Sequence, residues 1–291
     1  MGRTCTRGRI RRIIQMMDID LKPDNIKKLI ESENFSNNIA SYIKEFKETN
    51  MKDKFKDYKD NSLENILEDK GNPISIFSAA VSLAYDDAKR RFSGIGKVWK
   101  DDKKTEFFNY IAKKIYIIFE NPENDFDDWH QTTCKNLNDY LDQLGYKGAT
   151  YGKAQKIINM TFKYLYCLTT TNKYDNIFQK CHIPLDSFTL EWCRRYLKDK
   201  LPGLKSDTSW SGMEYDLYIT LQNKIREKLA YPLYAEFIIW PEIQKHIAAE
   251  EFILSFQSSI EGGKLNKKAL KDKELSEKFE IIHKILPEKN L

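Results

Sequence analysis

Turn-forming residues are scarce in this chain. Glycine supplies 12 and proline 8 of its 291 residues. That is too few for a sandwich or barrel of short strands, which needs a turn signal roughly every eight to twelve residues. Cysteine is scarce too: Cys5, Cys134, Cys167, Cys181 and Cys193 are scattered, odd in number and never spaced as C-x-x-C. This leaves a zinc ribbon or iron–sulfur cluster without a ligand set and argues against a disulfide framework. Cys181-His182 and Cys193 could in principle converge, but buried thiols in a reducing compartment are the simpler reading. Neither a metal nor another cofactor is expected. Long apolar runs are also missing. The longest, Leu233–Trp240, carries Glu236 and stops at Pro241, far short of the roughly eighteen residues of a membrane span. Five arginines (Arg3, Arg7, Arg9, Arg11 and Arg12) crowd the first residues, but the apolar core that a secretory signal needs does not follow them. The expectation is a cytoplasmic protein with no membrane partner and a basic arm suited to a polyanion.

What is there reads as helix after helix. Apolar residues make up 41% and charged residues 31%, the balance of a folded domain. Lys22-Pro23-Asp24-Asn25 opens a segment with Ile26, Leu29 and Ile30 on one face, the spacing of an amphipathic helix. The stretch from Lys44 to Lys70 is dense in lysine and acid and reads as a solvated helix or linker. After the break at Gly71-Asn72-Pro73, helices are predicted over residues 74–91, 105–120, 129–144, 153–168, 184–197, 210–231 and 233–256. β-branched alternation is nearly absent. The fold class is therefore all-α, with a basic arm and charged helical region over 1–70, a helical core over 71–260 and a lysine-rich tail over 261–291.

Basic residues outnumber acidic ones 48 to 43. Residues 141–200 alone hold ten basic residues (Lys147, Lys153, Lys156, Lys163, Lys173, Lys180, Arg194, Arg195, Lys198 and Lys200) and five acidic ones, an excess as large as that of the whole chain. The same window carries a glycine hairpin, Gly145-Tyr146-Lys147-Gly148-Ala149-Thr150-Tyr151-Gly152, just before a helix. Backbone N–H groups in such a turn favour an anion, and flanking lysines add counterion release on nucleic acid. Lys147, Gly148, Thr150, Gly152 and Lys163 are accordingly candidate contacts to a nucleic-acid backbone.

Two stretches stand out together. One is the hairpin 145–152 with the lysines that follow it. The other is His182-Ile183-Pro184-Leu185-Asp186-Ser187-Phe188, where a carboxylate opens a helix after a proline. The pair resembles the helix-hairpin-helix DNA glycosylase superfamily over roughly residues 129–200. With 30 residues from Lys156 to Asp186, or 33 from Lys153, the spacing looks most like its archaeal 8-oxoguanine branch. The resemblance implies a helical domain of two lobes flanking a cleft, with DNA as partner. It implies removal of a damaged or modified base, with or without an AP-lyase step. Asp186, in the Pro-x-Asp match, would be the catalytic carboxylate, and Lys156 or Lys153 the amine nucleophile. The glycines depart from the family's compact pattern: Gly145, Gly148 and Gly152 are spread wider, and which lysine matches stays open.

The chemistry sets its own demands on these residues. A fixed carboxylate stabilises positive charge on a sugar ring. An amine nucleophile must be neutral, which burial and neighbouring lysines promote. An extruded base needs aromatic walls, for which Trp129, His130, Phe188, Trp192 and Trp210 are the candidates. Each has a plainer role: Asp186 as an N-cap, the tryptophans as core, the histidines as hydrogen-bonding partners. A non-catalytic helical module that binds nucleic acid or a protein, for example in a bacterial or phage defence system, is the competing reading. The wide hairpin favours it.

Overall fold

The computed structural model describes residues 20–32, 34–51, 55, 62–68, 73–99, 101–197 and 203–261. The basic arm, the lysine-rich tail, Lys198 and Lys200 lie outside these residues. Among the described residues every regular element is helical, in agreement with the all-α reading. The α-helices are α1 (Pro23–Ile30), α2 (Phe35–Asn50), α3 (Leu63–Glu68), α4 (Pro73–Ala88), α5 (Asp101–Glu120), α6 (Phe126–Gln143), α7 (Tyr151–Tyr166), α8 (Asp175–Phe178), α9 (Ser187–Tyr196), α10 (Tyr215–Leu229) and α11 (Pro232–Glu261). Short 3-10 turns occupy Lys89–Arg91, Ile95–Lys97 and Trp210–Gly212.

The chain divides into two compact units. Leu21–Pro241 forms one, and the other comprises Met1–Asp20 with Glu242–Leu291. Helices α1–α10 lie in the first. At its centre lies α7, with all but two of its sixteen residues buried. Helices α4 and α6 pack along it, α5 lies against α4, and α10 lies against α1. An ordinary surface helix buries one stripe. Here the side that the sequence shows as Lys156, Met160 and Lys163 is buried as well, because carboxylates arrive from other elements to meet the two ammonium groups.

Local chemistry sets the boundaries near the site. Asp125 caps α6 by accepting from the Asp128 N–H at 2.9 Å. Leu144 closes that helix and Gly145 follows at φ +89°, the left-handed position where glycine carries no Cβ penalty. Thr150 then caps α7, accepting from Lys153 N–H at 3.3 Å. Its own hydroxyl donates to the Ser211 carbonyl at 2.5 Å, which ties the start of α7 to the 210–212 turn. Pro241 ends the apolar run of α11 but not the helix, which continues past it.

Candidate functional site

Asp186 begins α9 with a capping box. Its Oδ1 accepts from the N–H groups of Phe188 at 2.9 Å and Thr189 at 3.0 Å. The Thr189 hydroxyl accepts in return from Asp186 N–H at 2.8 Å and donates to the Pro184 carbonyl at 3.0 Å. The cap uses one carboxylate oxygen and leaves Oδ2 for other partners. Lys156 Nζ donates to Oδ2 at 2.9 Å, and the indole Nε1 of Trp240 on α11 donates to the same oxygen at 2.9 Å. Capping and pairing with a lysine therefore coexist in one side chain.

Lys156 and Asp186 are both buried. Burial pushes the Asp186 carboxyl up, but the Lys156 charge, the Thr189 N–H and the Trp240 indole together carry it below the usual carboxylate range. Burial pushes Lys156 down, and the carboxylates of Asp186, Glu236 and Asp87 more than reverse this, so its pKa lies above that of an ordinary lysine. The resting pair is an ammonium and a carboxylate. The expected depression of the amine by neighbouring lysines does not occur at Lys156, because three acids surround it. Lys153 is different. Burial lowers its pKa, its Nζ donates to the Gly148 carbonyl at 2.6 Å, and it sits over the rings of Phe92 and Tyr146.

The pair opens on a cleft of about 510 Å³, within the range of small-molecule sites, about 300–1,000 Å³. Phe46, Met160, Phe188, Trp210 and Trp240 give it aromatic and thioether walls, and Arg90 and Arg91 also line it. Phe188 and Trp240 meet edge to face at 5.8 Å. A second ionic contact lies in the same wall: Lys163 faces Glu236 of α11. Its ammonium is caged by the rings of Phe46 at 4.1 Å, Phe237 at 4.8 Å and Trp240 at 5.6 Å.

Of the aromatic candidates, Phe188 and Trp210 line the cleft. Trp192 is fully buried, its indole donating to the Leu21 carbonyl at 2.8 Å. Trp129 donates to the Lys114 carbonyl at 3.3 Å and packs on Phe126 and Phe162. His130 lies in an internal polar network. The candidate backbone contacts are also largely engaged inside the molecule. Lys147 pairs with Asp142 at 2.7 Å, Lys163 with Glu236, and Thr150 with Ser211. Gly152 is pressed against Trp210, where a Cβ would lie 1.9 Å from the carbonyl oxygen. Gly148 sits under the Tyr146 ring.

Sequence reasoning missed Trp240, Glu236, Asp87, Arg90 and Arg91. The usable signal was Glu236 itself, a lone acid in an apolar run, which demands a buried cationic partner. It also missed the device that aligns the pair. Gln155, next to Lys156, donates to the Leu185 carbonyl at 3.0 Å and accepts from Leu185 N–H at 3.3 Å, fixing the backbone beside Asp186. Asn159 donates to Gln155 Oε1 at 3.0 Å and to the Tyr218 hydroxyl at 2.9 Å. Tyr218 donates to His182 Nδ1 at 2.7 Å, and His182 Nε2 donates to Asp127 at 2.7 Å. Asp127 is held by Arg226 through two bonds.

Among the described residues no three His, Cys, Asp or Glu side chains are grouped so as to hold a metal ion. None of the helices described is long and apolar enough to cross a membrane. No family model, curated protein or solved structure matches the chain.

Proposed function

We propose that the chain is a DNA glycosylase centred on Lys156 and Asp186, with an AP-lyase step carried by Lys156. The reading rests above all on one observation: an amine–carboxylate pair at 2.9 Å in the wall of a ring-lined cleft large enough for a base. Losing a base breaks the C1′–N bond. The electron pair leaves with the base, and positive charge grows on the sugar. Asp186 Oδ2 stabilises that charge electrostatically. Lys156, resting as an ammonium, gives a proton to the departing base nitrogen. The neutral amine then bonds to C1′. The C1′–O4′ bond breaks as the ring opens, with O4′ taking the proton that the nitrogen gives up, and the resulting Schiff base is the species borohydride reduces. Phe188, Trp210 and Trp240 supply stacking surfaces for an extruded base.

The test uses duplexes carrying oxidised, alkylated or deaminated bases, and an abasic duplex with borohydride. Asp186→Asn should lower base release by at least about a hundredfold. Lys156→Ala should abolish the covalent adduct, whereas Lys153→Ala should retain it, since that amine is bound to the Gly148 carbonyl. If no duplex loses its base and no adduct forms, the enzyme reading fails. A second reading, a helical DNA-binding module without catalysis, has one observation in its favour. The pair is closed and internally satisfied, as a purely structural ion pair would be.

A further inference from the structure

Among the described residues, each basic side chain of the cationic window has a partner within the chain. Lys147 meets Asp142, Lys156 meets Asp186, Lys163 meets Glu236, Lys173 meets Glu68, and Arg194 and Arg195 both meet Glu191. Lys153 and Lys180 donate to backbone carbonyls. An ammonium already paired releases few counterions when a phosphate arrives, so this window is a poor grip for a polyanion.

The rim of the cleft is different. Arg90 and Arg91 sit in the 3-10 turn that follows α4, exposed and lining the cleft. Neither forms an ion pair among the described residues. The nearby carboxylates of α4 are engaged: Asp87 accepts from the Tyr164 hydroxyl at 2.8 Å and Asp86 faces Lys89 at 3.4 Å. Arg91 lies over the Trp210 ring at 6.0 Å, and Trp210 abuts Gly152 at the start of α7. Phe92, the next residue, meets Tyr146 of the glycine connection at 5.9 Å. The arginine turn and that connection are thus parts of one packed surface. Guanidinium groups bind phosphate oxygens through two parallel N–H bonds and keep their charge at any working pH.

We infer that Arg90 and Arg91 form the phosphate grip of this cleft, holding the DNA backbone on either side of the nucleotide that enters it. The inference rests on the glycosylase reading for the identity of the partner and on the rim geometry for the residues.

The probe is a duplex carrying one tetrahydrofuran abasic analogue, with binding followed by fluorescence anisotropy from low to moderate salt. Each of Arg90→Ala and Arg91→Ala should weaken binding and reduce the slope of log K against log salt by about one, and the double variant by about two. Lys147→Ala should leave affinity and slope unchanged. Both arginines are exposed, so the variants should melt as the parent does. Wild-type affinity and slope in the double variant would overturn the inference while leaving the catalytic reading intact. Failure of the parent to bind the duplex at any salt would overturn both. Tighter binding of an RNA of the same sequence, with the same loss of slope, would overturn DNA as the partner.

Discussion

Gly152 has no room for a side chain, and the obstacle is backbone. A Cβ there would stand 1.9 Å from the Trp210 carbonyl oxygen and 3.0 Å from Met213 N, while its own N–H is bound to the Met213 carbonyl at 2.9 Å. At Gly148 the obstacle is the far end of the Tyr146 side chain, 2.6 Å away, which can shift. Gly152→Ala should therefore cost more than about 2 kcal/mol and Gly148→Ala about 1 kcal/mol or less, as read by chemical denaturation. Equal costs would mean that the 210–213 turn yields as readily as a ring. This difference was not legible in the sequence, where both glycines read as turn residues. What Gly152 makes room for, the backbone of Trp210 and Met213, lies about sixty residues away. Asp186, by contrast, stood out from its neighbours alone, because a cap after a proline is a local signature. Trp240, which shares its Oδ2, lies 54 residues further on, and nothing local announces it.

At the scale of elements, α7 and α11 are joined through charge as well as apolar packing. Lys163 and Glu236 are 2% and 1% exposed. Burial, opposed by Lys163 and Lys156, leaves the Glu236 carboxyl above the usual range. Removing one partner strands the other charge, a change worth roughly 3–5 kcal/mol. Lys163→Met should thus destabilise strongly, and adding Glu236→Leu should recover most of the loss, since an apolar pair costs no ion desolvation. A double variant no more stable than the single one would show that Glu236 is held chiefly by other groups. Helices α1, α4–α7 and α9–α11 were readable from spacing and punctuation, whereas α2, α3 and α8 lay in stretches that spacing did not resolve. The burial of the lysine-bearing face of α7 was not. Periodicity assigns a charged stripe to solvent, and only a distant acid at the right height reverses that assignment.

For the whole molecule, the deepest commitment is a chain of neutral polar groups running through the core beside the site. Burial, only partly opposed by its bond to Asp127, holds His182 down at about 4. Burial and the neighbouring His182 hold His130 well below its ordinary value. An unfolded chain protonates both near pH 6.5, whereas the native chain does not until far lower. At these two histidines the unfolded state therefore binds more protons in this window, and their contribution to stability falls as pH falls from about 6.5 towards 4. For His182 the full span corresponds to about 3 kcal/mol. Asp127 is held low although burial opposes it, because Arg226 and His182 both bind it. Its contribution disappears only as pH falls through still more acidic values, so the two effects separate along the pH axis. Urea midpoints between pH 7 and 4.5 should decline steadily, and His182→Gln should start lower at pH 7 but decline less steeply, having one titration fewer. A flat profile in the parent would mean that both imidazoles take up protons inside the fold as readily as in the unfolded chain. The same chain reaches Leu185 through Asn159 and Gln155. If the chain is the glycosylase we propose, Gln155→Leu should slow base release more than it weakens DNA binding, because the clamp sets where Asp186 stands and leaves Arg90 and Arg91 untouched.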